Sequence, residues 1–236
     1  MPVLNARRAG RAPRDDGDTT RARLLEAAGQ LFAERGYADT TSKAICLRAK
    51  SNPSAVNYHF GSRDALYMAV LEIAHTHMMS LDFLMQLAGS PVSPREKIEQ
   101  LVDGLILNLR TPRGWQLRLW AREIIFPTPL FAAGVARNVM PKVGIVHALL
   151  GQYMQLPADS PAVHCGVVSL MAPCMGLLIA DRDLKDSLIP ALRLPPEELA
   201  RNIKIFLFTG LNGCIEAVQK EHDASATRPA GPSAAL

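Results

Sequence analysis

Apolar residues recur at helical spacing along most of the chain. Leu24, Leu25, Ala28, Leu31 and Phe32 share one face of a first helix, capped by Thr19 or Thr20. Gly36 supplies a left-handed stop, with Arg35 in the last turn. Thr41 or Ser42 caps a short second helix through about Ala49. Asn52 caps a third with Pro53 at its first position, where a missing N–H costs nothing, and Gly61 ends it. Ser62 starts a long fourth helix running to about Leu87. The pattern predicts further helices over 94–111, 114–126, 129–155, 161–181 and 197–221. Ser90-Pro91, Thr111-Pro112, Pro127-Thr128-Pro129, Pro157 and Pro195-Pro196 break them. No stretch alternates with period two between turn signals, so the expected class is all-α. Residues 1–18 and 223–236 are rich in turn-forming and polar residues, which predicts a flexible basic arm and a disordered tail. Between them the expected division is a three-helix unit over 19–65 and a larger helical domain over 66–222, joined by the fourth helix.

Composition adds little until charge is mapped. The 236 residues are 48% hydrophobic and 20% charged, ordinary for a soluble globular chain. The net charge of +4 is uneven: residues 1–63 hold 11 basic and 6 acidic side chains, so they carry +5 and the remainder −1. A basic head on a neutral body suits a polyanionic partner. Cys46, Cys165, Cys174 and Cys214 form no C-x-x-C pair and no zinc spacing, which fits a reducing cytoplasm and no metal. The start, MPVLNARRAGRAPRDD, lacks the apolar core of a signal peptide. Ser160 to Ala180 is long and uncharged enough to span a bilayer, but Pro161, His164, Ser169 and Pro173 interrupt it and no basic cluster follows. A helix buried in a protein or dimer core is the better expectation.

Three short helices followed by a long one form a helix-turn-helix unit. The second and third are separated by Lys50-Ser51-Asn52. On the third, Ser54, Asn57 and Tyr58 share an exposed face, while Val56 and Phe60 point to a small core. The segments ARLLEAAGQLFAERGY, AVNYHF and GSRDALY, in that order and spacing within residues 19–72, resemble the TetR family of bacterial transcriptional regulators. AVNYHFGS is further similar to the CerR/CecR-like subgroup, which has its own C-terminal domain. The resemblance implies that Lys43, Pro53, Ser54 and Asn57 face the major groove of DNA. It likewise implies that Thr41, Tyr58, His59 and Arg63 touch phosphates. Asn57 suits an adenine edge, and Arg63 beside free N–H groups at a helix start suits a phosphate. Arg7, Arg8, Arg11 and Arg14 fit an adjacent minor groove, as basic arms do, or form a plain solvated charge run. Where the family usually has glycine in the turn, this chain has Lys50. At positive φ a non-glycine residue costs about 1 kcal/mol.

The body has no G-x-S-x-G, no glycine-rich phosphate loop and no H-E-x-x-H, so neither enzyme nor cofactor is expected. In proteins that resemble it, the body dimerises and binds an inducer. Small residues Gly166, Ser169, Ala172 and Gly176 lie among large apolar ones in 161–181. Leu199, Ile203, Phe206, Leu207, Gly210 and Leu211 form a stripe in 197–221. Two such helices per chain fit a homodimeric four-helix bundle or an ordinary intrachain core. For an apolar or amphipathic small-molecule effector, the candidates are Trp115, Leu119, Trp120, Arg122, Glu123 and Phe126. His147, Tyr153, Met154, Met171 and Met175 complete the set. Met and aromatic stripes equally describe core packing. The expected function is a repressor released from a palindromic operator. The alternatives are a sequence-indifferent architectural DNA binder and a helical-cavity enzyme using a pair such as Glu123 with His147, for which no nucleophile–base spacing exists.

Overall fold

A computed structural model describes residues 13–110, 114–179 and 190–226. Its helices are α1 (Pro13–Arg35), α2 (Ser42–Arg48), α3 (Ala55–Phe60), α4 (Arg63–Met78), α5 (Leu81–Gly89), α6 (Pro94–Arg110), α7 (Trp115–Ile125), α8 (Pro129–Asn138), α9 (Met140–Met154), α10 (Pro161–Ile179) and α11 (Pro196–Ala226). A single 3₁₀ turn, Pro190–Arg193, precedes α11. No strand occurs among the described residues.

Caps written into the sequence start most of these helices. The hydroxyls of Thr41, Ser62 and Ser80 accept from Ala44, Ala65 and Phe83 N–H at 3.2, 3.0 and 3.1 Å. Ser93 and Glu96 form a reciprocal capping box before α6. Thr128 accepts from Phe131 N–H at 3.2 Å to start α8, and Ser160 from Val163 N–H at 3.3 Å to start α10. Gly36, at φ +84°, ends α1 as the sequence predicts.

Several boundaries differ from the sequence expectation, each for a physical reason. Helix α1 begins at Pro13, not Thr19 or Thr20, and so takes in part of the expected arm. Proline suits a first helical position, where its missing N–H costs no bond. Helix α3 begins at Ala55 rather than Pro53. The Asn52 side chain instead accepts from Ser54 N–H and Oγ at 3.0 and 2.8 Å, so Pro53-Ser54 form a turn. The expected helix 62–87 is two helices. Met79 is extended, and the freed carbonyls of Met78 and Met79 accept from Asn108 at 3.2 Å and Lys142 at 2.8 Å. The expected helix 129–155 also splits, because Pro141 supplies no N–H and clashes with the turn before it. Helix α11 continues to Ala226, into the expected tail.

The helices enclose two cores. The head core joins Leu24, Ala28, Leu31 and Phe32 of α1 to Ile45, Val56, Leu66, Tyr67 and Val70. The body core is built from α5, α6, α9, α10 and α11, with Ile98, Leu105, Leu149, Leu170 and Leu211 among its residues. Helix α7 belongs to both. Trp115 and Leu119 complete the head core, whereas Leu117 and Trp120 enter the body core.

Candidate nucleic-acid interface and effector chamber

The head presents a polar face opposite its core. Ala55 and Val56 of α3 are buried, while Pro53, Ser54, Asn57 and Tyr58 are exposed, Tyr58 by 82%. Lys43 and Thr41 are exposed on the neighbouring α2 and its cap. A groove between α1 and α3 brings Ser54, Tyr58 and His59 together with Lys50 and with Thr20 and Arg23, the last two not among the expected DNA contacts. The His59 and Tyr58 rings meet edge to face at 4.9 Å.

The turn between α2 and α3 is set by Lys50 at φ +51°. Lys50 N–H donates to Leu47 O at 3.2 Å and Ser51 N–H to Cys46 O at 2.9 Å, the paired bonds of a Schellman motif. The left-handed conformation required by that motif is therefore adopted without glycine. Arg63 is engaged within the protein. Its Nη1 donates to Thr40 O at 2.8 Å, and the guanidinium lies 4.2 Å over the Tyr37 ring. It thus ties α4 to the α1–α2 corner. Tyr37 also donates to Asp64. Arg14 lies in α1. Arg7, Arg8 and Arg11 lie outside the described residues.

The eleven effector candidates do not converge. Trp115 Nε1 donates to Glu26 at 2.7 Å, and its ring lies where a side chain on Gly29 would be, 2.3 Å from an added Cβ. Leu119 packs in the head core beside it. Arg122 crosses over Gly36 and donates to Arg35 O at 3.3 Å. Glu123 is buried and accepts from Tyr67, from Thr128 N–H at 3.0 Å and from Thr128 Oγ1 at 2.8 Å. Burial, and then this carboxylate, push the Tyr67 phenol above its ordinary range. Phe126 is 71% exposed. His147 bonds Val143 O at 2.9 Å and packs on His164, while Met154 is in the body core with Met171 and Met175 at its margin. Tyr153 donates to Asn212 at 2.7 Å.

Only Trp120 of that set lines the junction cavity, a narrow space of about 10 Å³. Its other walls are Met68, Leu71, His75, Phe131, Gly134 and Val139. The Trp120 ring lies 4.6 Å from His75 and 5.0 Å from Phe131. His75 Nδ1 is 2.8 Å from Lys142 Nζ, and both side chains are buried. Burial, and then the Lys142 charge, pull His75 down to about 4. Burial lowers Lys142 too, with Glu72 acting against it. Both sit in largely apolar helical runs, but nothing in the sequence brings them together.

Two family descriptions match the chain over separate ranges. Residues 24–70 match the family described as bacterial regulatory proteins, tetR family. Residues 94–211, half of the chain, match the C-terminal domain of the HTH-type transcriptional dual regulator CecR. The regulator UidR of Escherichia coli is 36% identical over 56 residues, 24% of this chain and 29% of UidR. The repressor Rv3405c of Mycobacterium tuberculosis is 45% identical over 60 residues, 25% of this chain and 32% of that protein. The chain therefore matches less than a third of either relative's length. Among solved structures, AibR in complex with isovaleryl coenzyme A and operator DNA superposes with TM-score 0.61 at 16% identity, over 80% of this chain and 98% of AibR. GusR of Salmonella enterica superposes with TM-score 0.57 at 22% identity, over 82% and 95%. These two likenesses concern the fold. With a matching head, a matching body and one continuous helical architecture, the chain belongs to the TetR family of transcriptional regulators.

Proposed function

We propose that the protein is a homodimeric repressor that leaves a palindromic operator when a small effector enters the body. The observation that carries this reading is the exposed polar face of α3 above a buried apolar one. Lys43, Pro53, Ser54 and Asn57 read base edges, and Thr41, Tyr58 and His59 hold phosphates. Arg63 serves the phosphate backbone from its clamp on Thr40, and the arm arginines Arg7, Arg8, Arg11 and Arg14 reach the minor groove. Lys50, Arg23 and Thr20 extend the phosphate-binding rim.

Two heads are needed to read two half-sites about 34–36 Å apart. Helices α10 and α11 support the pairing. Val168 is 67% exposed and Phe206 80% exposed. Helix α10 is long and apolar enough to cross a membrane, yet only 33% of that window is buried within the chain. A two-fold mate covers such a surface in a cytoplasmic protein.

Coupling runs through α7 and α4, which both line the junction cavity and enter the head core. An effector seated against Trp120 favours a head orientation that no longer fits the operator. Selection of bound DNA from a random pool tests the reading. A palindrome with two protected half-sites is expected, and Asn57→Ala should relax base preference at one position per half-site. A footprint spread evenly over random DNA would overturn it in favour of the architectural reading.

A further inference from the structure

We propose that the effector is a monoanionic carboxylate with a compact aromatic or branched apolar body, anchored by the His75–Lys142 pair beside the junction cavity. This rests on the effector-responsive reading above and adds the chemistry of the ligand.

Two basic side chains lie in contact inside the protein, His75 3% and Lys142 5% exposed. Lys142 Nζ also donates to Met79 O at 2.8 Å. No carboxylate comes within ion-pair distance of Lys142 among the described residues. A buried ammonium normally has such a partner, because an uncompensated charge in a protein interior is costly. Glu72 and Asp82, which line the outer pocket shared with Lys142, are exposed, so water screens them. Glu72 favours the ammonium only from the outer pocket, and no buried carboxylate pairs with it among the described residues.

The histidine makes the demand directional. An ammonium only donates, so His75 Nδ1 accepts from Lys142 and the ring proton sits on Nε2. His75 lines the cavity, and its Nε2–H has no hydrogen-bond partner among the described residues. A carboxylate accepts from that donor and its charge offsets the lysine charge across the imidazole ring, whereas a neutral amide or ketone only accepts. The remaining walls, Met68, Leu71, Trp120 and Phe131, specify an apolar body. Room for it comes from Met68. Its Cε lies 3.0 Å from where a side chain on Gly134 would begin, so a flexible thioether fills the space over a glycine. Rotation of that side chain opens the chamber.

Matched acid and amide probes test this on the full-length protein without DNA. Calorimetry of benzoate against benzamide, and of phenylacetate against phenylacetamide, should show the acid binding at least tenfold tighter. Tryptophan fluorescence should change with the same midpoint, because Trp120 lines the cavity. Lys142→Met should abolish the acid preference. Because Lys142 also holds Met79 O, His75→Phe serves as a second variant: it removes the Nε2 donor and should weaken the acids more than the amides. Met68→Ala should tighten both members of a pair. Equal affinity for acid and amide, or no binding by either in wild type and Met68→Ala, would overturn the proposal. Anisotropy of labelled operator is read separately. Acid binding without operator release refutes the regulatory coupling and leaves the ligand chemistry standing. Release by amides alone does the reverse.

Discussion

The head and the body solve the burial problem differently. The head closes its core within one chain. Its exposed apolar residues, Leu47 and Tyr58, stand on a face otherwise made of Lys43, Ser54 and Asn57. The body leaves an apolar face uncovered on α10 and α11 and a thinly filled space beside Trp120. A finished core with a polar exterior suits a polyanion, which is bound by charge and hydrogen bonds at the surface. An unfinished core suits apolar partners, which are bound by burial. Between them α7 gives side chains to both regions.

The largest break in this contrast is Trp115→Ala. It empties the space above Gly29 and strands Glu26, so a loss of about 3–5 kcal/mol is expected by urea denaturation. If the head and body then still unfold in a single transition at unchanged denaturant concentration, α7 is not their tie. The second break is acid. His75 is held near 4 against an ordinary 6.5, so the unfolded chain binds its proton first as pH falls. The contribution is complete above about pH 6.5 and is lost on the way down to 4, up to about 3 kcal/mol. Melting curves across that window should flatten in His75→Phe.

On the open face of the body, Phe206→Asp should weaken self-association about thirtyfold or more, roughly 2 kcal/mol, with the helical spectrum unchanged. Sedimentation that shows an intact dimer would move the interface elsewhere. Gly29→Ala tests the junction by sign. Alanine normally stabilises a helix interior by about 1 kcal/mol. Here its Cβ meets the Trp115 ring, so a loss of about 1–3 kcal/mol is expected in thermal denaturation. The smallest change is in the head. Lys50→Gly should stabilise it by about 1 kcal/mol, because φ +51° no longer opposes a side chain, while operator affinity at low salt falls with the lost charge.

Much of the fold was legible because helix starts are local. Thr41, Ser62 and Gly36 act through bonds to residues three or four positions away, so their spacing in the sequence is enough. The polar face of α3 was legible for the same reason. The junction cavity was not. Trp115, Leu119, Trp120 and Glu123 look alike along one helix, yet two of them join the head core, one lines the cavity and one binds Tyr67. Their assignment depends on which helix lies opposite.

The sequence by itself determined an all-helical chain, the basic head and the caps of α2 and α4, because periodicity, charge and capping are properties of neighbouring residues. Tertiary structure decided the rest. The break after Met78 is stabilised by Asn108 and Lys142, which lie 30 and 63 residues away from their acceptors. That break frees Met79 O for Lys142 and sets the lysine beside His75. The charge left without a carboxylate partner in the body exists only because distant helices pack, and no local rule could have placed it.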